Sequence, residues 1–446
     1  MNVKEITQMR FEALCYSRVP VALYVFDELE WYAHETERVL GVVLLHIEDR
    51  DWAWTVLGRD ANGLFRAIDG KTSLSSKDEA RRQLHAKMIQ HASAGCSVFV
   101  QGDERKHATR LFEPVVPTKR QNNIFKLIKS GIHHSAARAI MQEIANAFVD
   151  IDGNYVKDFQ TTGFNARLWE LYLFAFFHEQ RFHIPRDFDR PDFSLEKAIQ
   201  IAVEAVTVNS TDGEAAPSPT SEETLRLLRE EYMPIKFGSA LFSKLKKRYW
   251  ELPHVTGRPF VLAIHDFHST DSMTWSAPSL KDYLYGLRAT WRKDESGKLH
   301  ITENRVEKHT WRNKIIPSAF FNQPETENIS AILFSNSATI SKFNRMGKLA
   351  GFGDSRVVMI RKGVFHDHDP NATEATPFQM LIEPGKCYET WSEGVSIFHN
   401  PNARVPLPFE LFPLCAHYFL RHGKRVAFLP KWFVYESVTH IVCPKE

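Results

Sequence analysis

The sequence is poor in cysteine and lacks a long apolar run. Its 446 residues include five cysteines, at positions 15, 96, 387, 415 and 443, and no Cys-x-x-Cys pair occurs. This odd, scattered set suggests neither a zinc knuckle nor a disulfide framework, so we expect reduced thiols and a cytoplasmic protein. No run of about 18 apolar residues is present and the start, MNVKEITQMRFEALCYSRV, is polar, so we expect neither a transmembrane helix nor a secretory signal.

Net charge is nearly absent as well. Lys and Arg total 56 against 54 Asp and Glu, which leaves a net charge of +2. This balance excludes a polybasic tail protein and a strongly acidic one, so any contact with nucleic acid has to come from a local basic patch. No phosphate-binding loop of the GxxxxGK[ST] type occurs, which argues against an ATPase. Hydrophobic residues make up 43% of the chain, which is enough for at least one large core.

The first part of the chain has the pattern of a small domain. Residues 20–69 contain four apolar or alternating runs that are typical of strands. A helical pattern follows in SSKDEARRQLHAKMIQHA, where a serine at the start can serve as the N-cap. We therefore predict an N-terminal α+β domain over residues 1–155.

The rest of the chain is predicted to form two further regions. Residues 156–345 alternate buried-type helices and strands, with a polar, Pro- and Ser-rich insertion at 209–223. Residues 346–446 read as a β-rich C-terminal region with one predicted helix in FELFPLCAHYFLRHG, 409–423. The predicted fold class is α/β, with a central mixed sheet flanked by helices.

Three acidic residues of the middle region are candidates for a functional site. Glu170 falls within GFNARLWELYLFAFFHEQRF, which has the apolar spacing of a buried helix. Asp192 follows a proline, and Glu204 interrupts the β-branched strand AIQIAVEAVTVN. A carboxylate in such a strand is costly to desolvate unless it meets a cation or another partner. Twelve residues separate Asp192 from Glu204, which allows a hairpin to bring their carboxylates together.

This order resembles the PD-(D/E)xK nuclease superfamily, whose pattern is a helix with Glu, a strand with Pro-Asp and a strand with Glu-x-Lys. The residues that match are Glu170, Pro191-Asp192 and Glu204-Ala205-Val206. The predicted helix KFGSALFSKLKKRYWEL then leads through a crossover to a parallel strand, RPFVLAIHDF. The resemblance covers about residues 160–340, and Val206 stands where the family has its lysine.

The resemblance implies a restriction-endonuclease-like sheet and a Mg²⁺-dependent (or Mn²⁺-dependent) endonuclease. The substrate class is nucleic acid, with DNA favoured over RNA, and the implied setting is restriction or anti-phage defence. Hard divalent cations take oxygen ligands, so Asp192 and Glu204 are the expected direct ligands. Glu170 is expected to complete the metal site, directly or through a water. The ion would activate a water and neutralise charge on the phosphate.

A lysine supplied from the next helix is the expected substitute for the missing family lysine. Residues 236–248 carry several Lys and Arg and no acid. We expect Lys244 to take the catalytic role, with Lys236 as the second choice. We further expect Lys236, Lys247 and Arg248 to contact nucleic acid.

Two other functions stay open at this point. A chain that keeps the fold without a working lysine would be a catalytically inactive nucleic-acid-binding or scaffold protein. An unrelated metal hydrolase would instead use the His/Asp groups His265-Asp266-Phe267-His268 and His366-Asp367-His368-Asp369, which also fit a strand end and a turn. A homo-oligomer is open as well, and no membrane contact is expected.

Overall fold

The computed structural model describes residues 3–105, 108–211, 216–269 and 271–443. Its helices are α1 (Gln8–Leu14), α2 (Ala22–Val25), α3 (Lys77–Ser93), α4 (Asn123–Ser130), α5 (Ser135–Ala147), α6 (Tyr155–Phe159), α7 (Phe164–Glu179), α8 (Glu222–Leu227), α9 (Met233–Leu245), α10 (Ala277–Tyr285) and α11 (Ile340–Leu349). A π-type turn, Leu228–Tyr232, joins α8 to α9.

The strands are more numerous than the helices and shorter. They are β1 (Val3–Glu5), β2 (Phe26–His34), β3 (Val39–His46), β4 (Trp52–Arg59), β5 (Phe65–Leu74), β6 (Phe193–Glu196), β7 (Gln200–Asn209), β8 (Phe260–Phe267), β9 (Leu287–Lys293), β10 (Leu299–Arg305), β11 (Lys308–Trp311), β12 (Lys314–Pro317), β13 (Ala331–Ser335), β14 (Val358–Phe365), β15 (Thr376–Leu381), β16 (Val395–His399), β17 (Ala416–Arg421), β18 (Lys424–Phe428) and β19 (Val434–Val442).

Strands β1 to β5 form an antiparallel sheet in chain order, and α3 covers one face of it. The Ser76 hydroxyl accepts a hydrogen bond from the Glu79 amide and so caps the start of α3. Ala80, Leu84 and Met88 recur every four residues along α3 and are buried against the sheet. The alternating runs and the capped helix that the sequence predicted in this region are therefore present.

The largest sheet has seven strands in the order β18-β17-β16-β13-β8-β7-β6. Its centre is parallel, because β7, β8 and β13 run in one direction. The hairpin partner β6 is antiparallel at one edge, whereas β16 runs against β13 and continues the sheet on the other side. The sheet is therefore mixed, and the general α/β class predicted from the sequence is confirmed.

Helices cover both faces of this sheet and give it two cores. Along β7, Ile201 and Val203 face the core that contains α4, α5 and α7, whereas Val206 and Val208 face the core under α9 and α10. The alternation follows from the period of two in a strand. Glu204 belongs to the second set by position, so its carboxylate enters the α9 side of the sheet.

A third sheet, β15-β14-β19, and two hairpins complete the described fold. The hairpin β9–β10 extends from the end of α10, and the hairpin β11–β12 lies beside α9. Helix α11 packs closely against α5, because a Cβ at Gly347 would lie 2.3 Å from the Ala136 carbonyl oxygen and only glycine permits this approach. None of the helices in the described ranges is both long enough and apolar enough to cross a bilayer.

Three details of the sequence-based organisation differ from the structure. Helices α4 and α5 share a core with α7 and the central sheet, so the predicted boundary at 155 does not follow the packing. Strands β16 to β18 belong to the central sheet, so the boundary at 345 cuts across it. The predicted helix at 409–423 is wrong, since this stretch forms a short 3₁₀ turn and then β17. The insertion predicted at 209–223 is irregular at 210–211 and 216–221, between the end of β7 and the start of α8, and its residues 212–215 lie outside the described ranges.

Candidate active site

The candidate site lies at the open edge of the central sheet, where β6 stops and β7 continues. Phe193 pairs with Val203 at the last step of the hairpin, and β7 runs on to Asn209. Asp192 therefore stands opposite Glu204. Its Oδ2 accepts a hydrogen bond of 2.7 Å from the Ala205 amide, and its own amide donates to Glu204 Oε2 at 3.3 Å. These bonds hold the two acids side by side at the sheet edge.

Helix α9 brings a cation to Glu204. Phe237, Leu241 and Leu245 anchor the helix on the core beneath it, and Lys244 lies beside that apolar stripe. Lys244 Nζ donates to Glu204 Oε1 at 2.5 Å. Val206, which the sequence resemblance places at the lysine position of the motif, is buried in the same core. The cation beside Glu204 belongs to α9 and not to the strand.

Burial and charge shift the protonation of this pair. Only 4% of Glu204 is exposed. Burial, with the negative charge of Asp192, raises the pKa of Glu204 to about 7, although Lys244 lowers it. Burial also acts to lower the pKa of Lys244, but the carboxylates of Glu204 and Asp192 outweigh it and the pKa is raised. Lys244 is therefore charged at neutral pH, and Glu204 exchanges its proton near neutrality.

Glu170 approaches the site from the other face of the sheet. Helix α7 is fixed there by Trp169, whose indole N–H donates to the Ala263 carbonyl at 2.9 Å. Glu170 is ion-paired with Arg167, with 3.0 Å between Arg167 Nη1 and Glu170 Oε2. Burial, reinforced by the charge of Asp192, raises the pKa of Glu170 to about 8 against the effect of Arg167. Glu170 therefore senses Asp192 electrostatically, but its own partner is a guanidinium.

Arg186 is a site residue that sequence reasoning missed. Its guanidinium lies over the rings of Phe148 and Phe193, 4.6 Å and 5.5 Å from their centroids. It also donates to the Asp192 carbonyl oxygen. Burial is the main influence on Arg186 and lowers its pKa, while Glu170 and Asp192 oppose this. The arginine is thus close enough to Glu170 and Asp192 to interact with the charges of both, and no spacing in the sequence indicated it.

The donor set fits a water-rich divalent ion better than a fully protein-bound one. Asp192 and Glu204 offer adjacent carboxylate oxygens, which suits Mg²⁺, an ion that usually takes one or two protein carboxylates and keeps several waters. Within the described ranges, no three or more His, Cys, Asp or Glu side chains are grouped so as to hold a metal ion. The structure therefore brings Asp192, Glu204 and Lys244 together, whereas the carboxylate of Glu170 is ion-paired with Arg167.

The residues expected to contact nucleic acid have different surroundings. Lys236 Nζ lies 3.3 Å from the Thr211 hydroxyl, whereas Lys244 is the lysine that donates to Glu204. Lys247 is exposed after the end of α9. Arg248 is exposed as well, but its guanidinium is paired with Glu251 and Glu325. Arg248 is therefore less available to a phosphate than Lys247.

The His/Asp groups of the alternative hydrolase lie elsewhere. Asp266 Oδ1 and His268 Nδ1 are 2.7 Å apart with both side chains fully buried at the end of β8. Burial lowers the pKa of His265 to about 3, and its Nε2 accepts from the Ala338 amide. The second group forms a surface turn, in which the Asp369 amide donates to Asp367. Neither group gathers three metal-ligating side chains among the residues described.

Comparison with known proteins gives no family for this chain. No family model, no curated protein and no solved structure matches it. The function is therefore inferred from the geometry at the edge of β7 and from the order of the acidic residues in the sequence.

Proposed function

We propose that the protein is a metal-dependent nuclease that hydrolyses nucleic-acid phosphodiester bonds, with DNA as the favoured substrate. The observation that carries the proposal is the meeting of Asp192, Glu204 and Lys244 at an open sheet edge. We further propose that the hairpin β6–β7, helix α9 and strand β8 form a restriction-endonuclease-like core. An acid pair beside a lysine, next to an accessible strand edge, suits hydrolysis of a phosphate ester.

The roles follow from the positions of the side chains. Asp192 and Glu204 would hold Mg²⁺ or Mn²⁺, which when bound supplies an activated water and neutralises phosphate charge. To bind the ion, Glu204 would have to lose its proton. Its oxygen that Lys244 contacts would then be shared between the ion and the lysine. The Lys244 ammonium then donates to a phosphate oxygen or to the attacking water. Glu170 and Arg186 act through Asp192, and we class them as positioning residues.

Cleavage of plasmid DNA tests this proposal. The purified full chain is incubated with supercoiled plasmid and with linear duplex, single-stranded DNA and RNA, with Mg²⁺, Mn²⁺ or EDTA. We expect metal-dependent cleavage that falls by about 100-fold or more in Asp192→Asn. Asp189→Asn is the matched control, because Asp189 lies on the same segment with about two thirds of its side chain exposed, and it should cleave normally. Equal activity of Asp192→Asn and wild type would remove Asp192 from the mechanism.

A second candidate function is a non-catalytic nucleic-acid-binding protein of the same fold. It is favoured by the ion pairs, since Lys244 occupies an oxygen of Glu204 and Arg167 occupies Glu170. Such a protein would show no cleavage with either metal, and Asp192→Ala would retain salt-sensitive binding to DNA. An enzyme would instead lose cleavage in Asp192→Ala while the wild type cuts.

A further inference from the structure

A basic groove runs along the exposed side of α9, between this helix and the hairpin β11–β12. It consists of two adjoining clefts of about 720 Å³ and 580 Å³ that share Ser239 and Lys314 in their walls. Lys236 and Arg312 line the first cleft, and Lys246 and Lys247 line the second. We call these two clefts the α9 groove.

The charge of the α9 groove is unlike that of the whole chain. Five cations line it, and neither cleft has an Asp or Glu among its described lining residues. The whole protein has a net charge of only +2. A cluster of basic side chains therefore marks one surface of a nearly neutral molecule, which is the electrostatic pattern expected of a surface that binds a polyanion.

The surroundings of Lys314, Lys246 and Lys247 also suit the binding of phosphate. Lys314 Nζ is 2.6 Å from the Ser239 hydroxyl, so this ammonium rests on a neutral group rather than on a carboxylate. Lys246 and Lys247 are exposed and form no ion pair with any residue that the structure describes. Their charges are thus available to a ligand, in contrast to the charge of Arg248, which Glu251 and Glu325 compensate.

The hairpin wall is held rigidly enough to form a binding surface. His309 is buried, and its ring nitrogens lie 2.7 Å from the Glu230 carbonyl oxygen and 2.9 Å from the Ser318 hydroxyl. Trp311 packs its ring against Tyr232, with 5.2 Å between the centroids. The cations on the outer side of β11–β12 therefore keep a fixed position relative to α9.

The groove lies along the same helix and the same strand as the candidate active site. Lys236 and Lys244 are two turns apart on one helix, a span of about 12 Å. Thr207 and Val208, which line the groove, follow Glu204 along β7 at a distance of about 10 to 13 Å. One strand of B-form DNA advances about 3.4 Å per nucleotide, so this span corresponds to about three to four nucleotides.

We propose that the α9 groove binds the phosphate backbone of the nucleic acid on one side of the bond to be cleaved. The proposal rests on the proposed nuclease function for the place of the reacting phosphate, but the binding itself does not require cleavage. It adds Lys314 and Arg312 of the hairpin, which the motif did not indicate, and it excludes Arg248 from the main contact.

Binding is measured by fluorescence anisotropy with a labelled 20-base-pair duplex in EDTA, so that cleavage does not contribute. The test variant is Lys246→Gln/Lys247→Gln/Lys314→Gln. The control variant is Lys362→Gln/Lys424→Gln/Lys431→Gln, which removes three exposed lysines from the C-terminal strands and loop. We expect the test variant to bind at least tenfold more weakly at 0.1 M salt, with a log–log salt slope lower by about 2 to 3, and the control to bind like wild type.

The two proposals fail in different ways. If wild type binds the duplex and the groove variant loses binding, the groove is supported even where no metal yields cleavage. The groove proposal is overturned if wild type does not bind, or if the groove and control variants lose affinity equally. If the protein is active, the groove variant should raise KM and leave kcat within about twofold, whereas Asp192→Asn should bind the duplex and not cut it.

Discussion

Glu204 is a buried carboxylate whose charge is balanced from a neighbouring helix. A lone carboxylate in this position would be costly, and breaking a buried ion pair by removing one partner leaves the other uncompensated. Lys244 is therefore expected to stabilise the fold as well as to serve the proposed chemistry. The two roles can be separated by pH, because Glu204 needs a partner only when it is ionised.

Replacing Lys244 by methionine should destabilise the protein more at high pH than at low pH. The pKa of Glu204 is raised from its ordinary 4.5 to about 7, so its contribution to stability is full below pH 4.5 and declines as pH rises through 7. Lys244→Met should steepen this decline, with a loss of about 2 to 3 kcal/mol at pH 8.5 and less than 1 kcal/mol at pH 5. Urea unfolding at both pH values measures it.

Lys246→Met is the control for this experiment, since Lys246 is exposed at the end of the same helix and forms no ion pair with a residue that the structure describes. It should show the same small effect at pH 5 and pH 8.5. An equal loss for Lys244→Met at the two pH values would mean that the lysine stabilises through packing of its chain, and the ion-pair argument would be refuted.

At the scale of single elements, the sequence predicts what short-range patterns specify. Helix α3 has its serine cap, α7 is apolar on nearly every side, and β7 and β8 are strands made mainly of apolar residues. All four elements lie where the sequence pattern predicts them. The stretch 409–423 misleads, because Leu411, Cys415 and Phe419 have helical spacing. Pro413 breaks that pattern, and pairing of β17 with β16 and β18 decides the outcome.

The same limit applies to the candidate site. The order of Glu170, Asp192 and Glu204 is visible in the sequence, and so is the basic helix that follows. The pairing of Glu170 with Arg167, and the place of Arg186 between rings of Phe148 and Phe193, depend on packing between distant segments. No local period encodes such contacts.

The link between β2 and α3 yields a prediction for acid stability. Glu30 on β2 accepts from Arg81 at 2.5 Å and from Lys77 at 2.8 Å. Hydrogen bonding by Arg81 is the main cause that lowers the pKa of Glu30 to about 2, and burial opposes it. The stabilisation is therefore present above pH 4.5 and is lost as pH falls through 2.

Glu30→Gln should lower the free energy of unfolding by about 1 to 2 kcal/mol at pH 7 and by close to nothing at pH 2. The effect at pH 7 is modest because Lys77 and Arg81 are about one third exposed and solvent screens their charges. Thermal unfolding at the two pH values is the measurement. Asp78→Asn is the matched control, since Asp78 also pairs with Arg81 but is 86% exposed. If both variants lower the free energy of unfolding equally at pH 7, the burial of Glu30 does not strengthen its ion pairs.

At the scale of the whole molecule, a buried ion cluster joins the central layer to the third sheet. Glu389 accepts hydrogen bonds from Lys342 and Arg345 of α11, at 2.7 and 2.8 Å. Arg361 of β14 lies 3.5 Å from Glu389 and 2.6 Å from Glu393. All five of these side chains are at most 5% exposed. Burial acts to raise the pKa of Glu389, but the positive charges of Arg345, Lys342 and Arg361 hold it well below its usual range.

Glu389→Gln should therefore be the most damaging single change outside the candidate site, because it leaves buried cations without their shared anion. We expect a loss of about 4 kcal/mol or more, measured by urea unfolding. Glu383→Gln is the control, since Glu383 forms an exposed pair with Lys386 and should cost less than about 0.5 kcal/mol.

A compensating variant keeps this prediction testable if Glu389→Gln fails to fold. Glu389→Gln/Lys342→Met removes one cation along with the anion, so it should recover a measurable part of the lost stability. In the same variants, amide hydrogen exchange in β14 should accelerate more than exchange in β3, because only β14 is tied to α11 through Arg361. Uniform acceleration in both strands would mean that the cluster stabilises the protein as a whole and does not specifically fasten the third sheet.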